Sequence, residues 1–218
     1  MLILAVDTAS VFCASGLVGR NRMLAGASEN IGKGHAEYLM GQIATVMDKA
    51  HKNFADIDRI SVNIGPGSFT GVRVGISAAR GLALVLDKPA VGVSAFEALA
   101  FEAAQHYENR PVTVVLEAHR GALYVQDFDA DSRAIDAPRI DTAEAIAATL
   151  PETVVLTGSG AQKIAQLAPR PLVDTKPTAD IETYARLAAG KEPSGKPSPL
   201  YMRAPDAKPQ AGFILPRA

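Results

Sequence analysis

The chain has 218 residues, 48% of them apolar and 21% charged, with a formal net charge of −1. That length builds one large domain or two small ones around a sizeable core, and the near-neutral balance gives no global basic field for nucleic acid or an anionic membrane, so RNA would be met through a local patch or a partner protein. The single cysteine, Cys13, excludes an internal disulfide and fits a reducing, cytoplasmic setting.

The N-terminal residues 1–7 lack a basic region and reach an acid, Asp7, too early for a signal peptide. Residues 2–6 read as a buried strand, 11–18 as a second and 22–28 as a third, with Gly19-Arg20-Asn21 as the turn between the last two. After a glycine-rich break at 30–34, the spacing of Leu39, Ile43, Val46 or Met47, and Ala50 predicts a helix over 35–50. Residues 60–64 form a strand, Gly65-Pro66-Gly67-Ser68-Phe69-Thr70-Gly71 a tight turn, and Phe69–Leu86 an apolar helix stopped by Asp87-Lys88-Pro89. A short strand over 90–93 leads to Ser94 and Glu97, a capping box opening a helix to about residue 107. The second half repeats the order. Strands cover 112–116, 123–128 and 153–157, helices begin at the Asp141–Glu144 capping box, after Gly158-Ser159-Gly160 and at 178–189, and a Pro- and Lys-rich tail follows from Gly190.

Each half therefore runs three strands, helix, strand, helix, and the first adds another strand and helix. This α/β order is the layout of the actin-like and sugar-kinase-type (RNase H-like) ATPases: two βββαβα lobes, here 1–108 and a shorter 109–218. In that layout an acid ending the first strand holds hydrated Mg²⁺, and small residues after it wrap phosphate. Asp7 and Thr8 stand there, followed by Ala9 where glycine would help. The Gly65–Gly71 loop opens a helix whose N-terminus suits an anion, with Gly65, Gly67 and Gly71 freeing the backbone and Ser68 or Thr70 capping or binding phosphate. It is also what a close-packed turn needs, and it matches neither standard phosphate-loop spacing. These residues are candidates for a vestigial nucleotide site, and no catalytic residue is assigned. His35 opens the first helix without a second ligand one turn on, where Leu39 stands, and His51, His106 and His119 are scattered, so no metal site is expected. Both long helices of the first half are apolar on more than one face, which predicts a subunit contact with His35, Leu39, Ile43, Arg73, Ile76 and Arg80 as candidates. Measured from Val72 to Leu86, the longest apolar run is too short and too interrupted to span a bilayer, so no membrane contact is expected.

Three stretches share one likeness: 2–10 (LILAVDTAS), 63–73 (NIGPGSFTGVR) with Gly81-Leu82-Ala83, and 91–99 (VGVSAFEAL). With His35-Ala36-Glu37-Tyr38-Leu39 and the tail Pro199-Leu200-Tyr201-Met202-Arg203, they resemble the TsaB (YeaZ) family, densely over the first hundred residues. The resemblance implies a non-catalytic partner of TsaD, the protein that moves a threonylcarbamoyl group onto the adenosine beside the anticodon of tRNA. It implies pairing through N-terminal helices, the ATPase TsaE as a further partner and tRNA met only through the complex; whether the chain forms a homodimer when that partner is absent is left open by the sequence. It implies no cofactor for this chain, ATP and Mg²⁺ entering at the level of the complex. TsaD-like proteins hold metal through two helical histidines, of which only His35 has a counterpart here. Two other readings compete: an autonomous small-molecule kinase or ATPase built on Asp7, Thr8 and the 65–71 loop, and a metallopeptidase, which the missing second histidine disfavours.

Overall fold

The computed structural model describes residues 1–202 other than 21, 119 and 120. The expected turn residue Asn21, the histidine His119 and the tail residue Arg203 lie outside the described residues. In the first half, β1 (Leu2–Asp7), β2 (Phe12–Gly19) and β3 (Arg22–Asn30) form an antiparallel meander. Helix α1 (His35–Lys49) then leads to β4 (Arg59–Asn63), and α2 (Phe69–Leu86) to β5 (Ala90–Val93), in parallel register beside β1. The sheet order is β3-β2-β1-β4-β5. After α3 (Ala95–His106) the chain repeats the scheme with β6 (Val112–Glu117), β7 (Leu123–Phe128), β8 (Arg139–Asp141), α4 (Ala143–Thr149), β9 (Val155–Thr157) and α5 (Ala161–Leu167), in the order β8-β7-β6-β9. Helix α6 (Ile181–Gly190) closes the described secondary structure.

Period-two alternation decides the layers. Along β1, Leu4 and Val6 face α1 and α2, whereas Ile3 and Ala5 face the opposite side, packed with α3 and α6. Along β6, Val112, Val114 and Leu116 join that same central cluster, and Val115 faces the outer layer with α4 and α5. So α3 and α6 lie between the two sheets. Helix α3 fits there because its inward residues are small: Ala95, Ala98, Ala100 and Ala103 are all buried beside Phe96 and Leu99. Helix α6 returns to the first sheet and packs across β1, β2 and β4. Its C-terminus is capped by Arg59 of β4, whose Nη1 donates to the carbonyls of Ala188 and Lys191, orphan acceptors that a cation at a helix C-terminus satisfies.

The structure departs from the sequence reading at four places. β8 is only Arg139-Ile140-Asp141, one apolar residue between two charges, which carries no alternation to read. The cap of α4 is Thr142, whose hydroxyl accepts from the Ala145 N–H, and not the Asp141–Glu144 box. Helix α6 starts at Ile181 instead of 178, because Thr178 is committed to tertiary hydrogen bonds. Helix α2 spans Phe69–Leu86 as expected, but its eighteen residues at a mean hydropathy of 1.4 are long and apolar enough by composition to cross a membrane, which corrects the expectation drawn from the run Val72 to Leu86 alone. Gly71, Val72, Gly75, Ile76 and Ala79 on one of its faces are buried, and the rest of the helix is half-buried or exposed.

The α3 capping box is present as expected: Ser94 Oγ accepts from Glu97 N at 3.1 Å and Glu97 Oε2 accepts from Ser94 N at 2.8 Å. Ser94→Ala is expected to cost about 1 kcal/mol, read as a shift of the urea midpoint at constant slope.

Candidate functional site

The carboxyl ends of β1 and β4 and the start of α2 meet at one point. Asp7, the last residue of β1, is 2% exposed. Its Oδ1 accepts from the Ala9 amide at 2.8 Å and from Asn63 Nδ2 at 2.9 Å. Its Oδ2 accepts from the Thr178 hydroxyl at 2.5 Å. That hydroxyl shares a 2.6 Å hydrogen bond with the phenol of Tyr184 on α6, which also accepts from Asn63 Nδ2 at 2.9 Å. The network is closed: both carboxylate oxygens are occupied, by groups from the β1–β2 turn, β4 and the segment before α6, and Tyr184 of α6 holds Asn63 and Thr178 in place behind them. Burial pushes the Asp7 carboxyl above its usual range, against the pull of the hydrogen bonds from Thr178, Ala9 and Asn63. Burial, followed by the nearby Asp7 charge, likewise pushes the fully buried Tyr184 phenol well up.

Thr8 is equally committed. Its hydroxyl donates to the Gly71 carbonyl at 2.7 Å. Two loop glycines are required by this close approach. A Cβ at Gly67 would overlap the Ala9 carbonyl, and one at Gly71 would overlap the Thr8 carbonyl. Gly65 is left-handed, at φ +97°. The Ser68 amide donates to the Ala9 carbonyl at 2.7 Å, and Ser68 Oγ caps α2 by accepting from Gly71 N at 3.2 Å. Thr70 is exposed beside it. The loop thus docks α2 on the β1–β2 turn.

Above it lies an open cleft of about 570 Å³ between the two sheets' loops, walled by Ala9, Ser10 and residues 66–70 on one side and by Glu117, Tyr124 and Ser159 on the other. Neither Asp7 nor Thr8 reaches it, and among the described residues its lining carries one carboxylate and no cation. The residues therefore do not fit a Mg²⁺–nucleotide held at Asp7: the acid is sealed, Ala9 stands where glycine would wrap phosphate, and no described cation meets the charge.

The six interface candidates separate. Leu39, Ile43 and Ile76 are 1%, 0% and 3% exposed in the core between α1, α2 and the first sheet, so their side chains do not reach a partner; the helical periodicity that singled them out marks the inward stripe. His35 is buried too, its Nε2 donating to the Phe12 carbonyl at 3.2 Å. Arg73 and Arg80 are exposed, but the Arg73 guanidinium is engaged by Phe69 and Tyr201. The outward residues that sequence reasoning did not single out are Tyr38 and Met40 on α1 and Leu84 and Val85 on α2, the last two more than 80% exposed. Asn63, Thr178 and Tyr184 were missed as well; only Asn63 stood in a quoted motif. Among the described residues no group of three or more His, Cys, Asp or Glu side chains could hold a metal ion.

Comparison with known proteins gives this geometry a lineage. The family model described as TsaD, tRNA N6-adenosine threonylcarbamoyltransferase, matches residues 28–189. The tRNA threonylcarbamoyladenosine biosynthesis proteins TsaB of Buchnera aphidicola (subsp. Schizaphis graminum) and Escherichia coli are 32% and 31% identical over 127 and 135 residues. Those matches cover 58% and 62% of this chain but only 60% and 58% of the relatives' own length. A crystal structure of an uncharacterized Pseudomonas aeruginosa protein with similarity to peptidase YeaZ superposes at a TM-score of 0.79 and 25% identity, covering 93% of this chain and 99% of that one. The ADPNP-bound activator of 2-hydroxyisocaproyl-CoA dehydratase from Clostridium difficile, at a TM-score of 0.53 and 10% identity over 86% and 94% of the two chains, shares the fold alone. The fold is thus the actin-like, sugar-kinase-type ATPase architecture, and the chain belongs to the TsaB (YeaZ) family.

Proposed function

We propose that this chain is a non-catalytic subunit of the assembly that makes threonylcarbamoyladenosine in tRNA, pairing with a TsaD-type catalytic protein. The observation that carries the non-catalytic part is the sealing of Asp7 by Asn63, Thr178 and Tyr184, which leaves a kinase or ATPase reading without its acid. Pairing is supported by the outward face of α1 and α2. On α2 the series Val74, Ala78, Gly81 and Val85, with Leu84 beside it, forms an uncharged stripe at helical spacing, half-buried against the core at Val74 and Ala78 and exposed at Gly81, Leu84 and Val85. A Cβ at Gly41 or Gly81 would meet nothing within 4 Å, so a partner helix can approach either backbone closely. Arg80 borders the stripe and makes no ion pair among the described residues, which suits an acidic rim on the partner.

On this reading the same face pairs two copies of the chain when the partner is absent, a TsaE-type ATPase joins the pair, tRNA is met through the complex, and the chain works in the cytoplasm. The lobes divide at residues 108/109, with α6 crossing back to complete the first. Affinity purification from the source cell is expected to bring down the TsaD-type protein in stoichiometric amount. A chain that stays alone on mixing with that protein, and leaves tRNA modification unchanged, would overturn the proposal.

A further inference from the structure

The segment after α6 is tied down at both ends of its described length. Lys191 Nζ pairs with Glu97 Oε1 at 2.6 Å and donates to the Gly92 carbonyl at 3.4 Å. The Leu200 amide donates to the Ile64 carbonyl at 2.8 Å, just before the 65–71 loop. Leu200 and Met202 pack on the central core. Between them Tyr201 meets the first turns of α2: its hydroxyl accepts from Arg73 Nε at 2.9 Å, and its ring lies 5.7 Å from that of Phe69 at a 37° tilt. The Arg73 guanidinium sits 3.7 Å from the Phe69 centroid and 5.5 Å from that of Tyr201. Beneath this clasp is a space of about 120 Å³ whose walls Pro66, Gly67, Phe69 and Tyr124 also line the large cleft.

We propose that residues 197–202 are a latch: the Phe69–Arg73–Tyr201 clasp holds the loop and the first turn of α2 in place, and its release loosens that turn and joins the small space to the cleft. The clasp grips both ends of the loop, Leu200 at Ile64 and Tyr201 at Phe69 and Arg73. Its outer contacts are half exposed, Phe69 at 52% and Tyr201 at 49%. An exposed aromatic pair, a cation–π contact and one side-chain hydrogen bond are each weak, so together they bias opening by on the order of tens-fold, not thousands-fold. That is the range in which a binding partner can open or close a latch. Its consequence for pairing rests on the function proposed above, because α2 carries the pairing stripe.

Hydrogen exchange read by mass spectrometry on the full chain tests it. In Tyr201→Ala the amides of residues 71–74 are expected to exchange roughly tenfold faster, and in Tyr201→Phe, which keeps the ring, roughly threefold faster, with β6 and β7 unchanged. Affinity for the TsaD-type partner is expected to fall severalfold in Tyr201→Ala. Unaltered exchange at 71–74 in Tyr201→Ala would overturn the latch, and so would an equal acceleration in β6 and β7, which would mean global loosening. Leu84→Glu, distant from the clasp, separates the two ideas. If Tyr201→Ala accelerates exchange while both variants pair like wild type, the latch stands and the pairing surface is wrong.

Discussion

Leu84→Glu is expected to lower affinity for the TsaD-type partner at least a hundredfold while leaving the isolated chain as stable as wild type. Leu84 is 82% exposed, so in the free chain the new carboxylate stays in water, and a surface change of this kind moves stability by no more than about 0.5 kcal/mol. Once a partner helix covers the Val74–Ala78–Gly81–Val85 stripe, the same carboxylate is forced into an apolar contact and competes with the partner's acidic rim for Arg80, one turn back, which costs about 3 kcal/mol or more, and each 1.4 kcal/mol is about a factor of ten in affinity. Titration calorimetry of the pair, with thermal unfolding of the free variant, checks both halves. Burial makes the choice of residue decisive. Leu39→Ala or Ile43→Ala would also abolish pairing, but by removing core packing worth about 2–5 kcal/mol, because both side chains are fully enclosed.

The second large effect is at Asp7. Asp7→Ala is expected to destabilise the chain by about 3 kcal/mol or more, because it strands the Ala9 amide, Asn63 Nδ2 and the Thr178 hydroxyl without their acceptor in a buried site. Asp7→Asn keeps the volume and an acceptor for Ala9 and Asn63, and its amide can donate to Thr178 Oγ1 in place of the reverse bond, so it is expected to cost about 1 kcal/mol. The pH dependence has a defined sign. Burial raises the folded-state pKa of Asp7, so the folded chain holds this proton more tightly than the unfolded one. The associated stabilisation is full below the ordinary carboxylate pKa of about 4 and is lost as pH rises through the folded value. The deficit of Asp7→Asn is therefore expected to be greatest near pH 4 and to shrink towards neutrality, as urea titrations across that window would show. A wild-type stability that rises over the same window relative to Asp7→Asn would contradict the assignment.

Much of the fold is legible in the residues because each local signal agrees with its neighbours. Leu2–Asp7 alternates between two cores, Ser94 and Glu97 cap α3 as their spacing predicts, and Asp87 with Pro89 ends α2. β8 was illegible because three residues with a single apolar member have no period. The site was half legible. Asp7, Thr8 and the 65–71 loop do converge, and the packing reading of the glycines explains Gly67 and Gly71. What seals Asp7 comes from Thr178 and Tyr184, more than 170 positions along the chain, and only the return of α6 to the first sheet brings them there. Leu39, Ile43 and Ile76 lie in the core for a related reason: helical spacing identifies the stripe facing the core, whereas a partner surface is what that stripe leaves behind. Arg73 read as a flank of the interface, yet it belongs to Tyr201 of the tail, a pairing across 128 positions that no local pattern encodes.

The central claim, that this chain serves tRNA modification by pairing and not by chemistry at Asp7, is tested most directly by threonylcarbamoyl transfer to tRNA in a reconstituted system of the TsaD-type and TsaE-type proteins with wild-type or Asp7→Asn chain. The account predicts rates within about twofold of each other and no transfer by the chain alone. A hundredfold loss in Asp7→Asn, with folding and pairing intact, would contradict it.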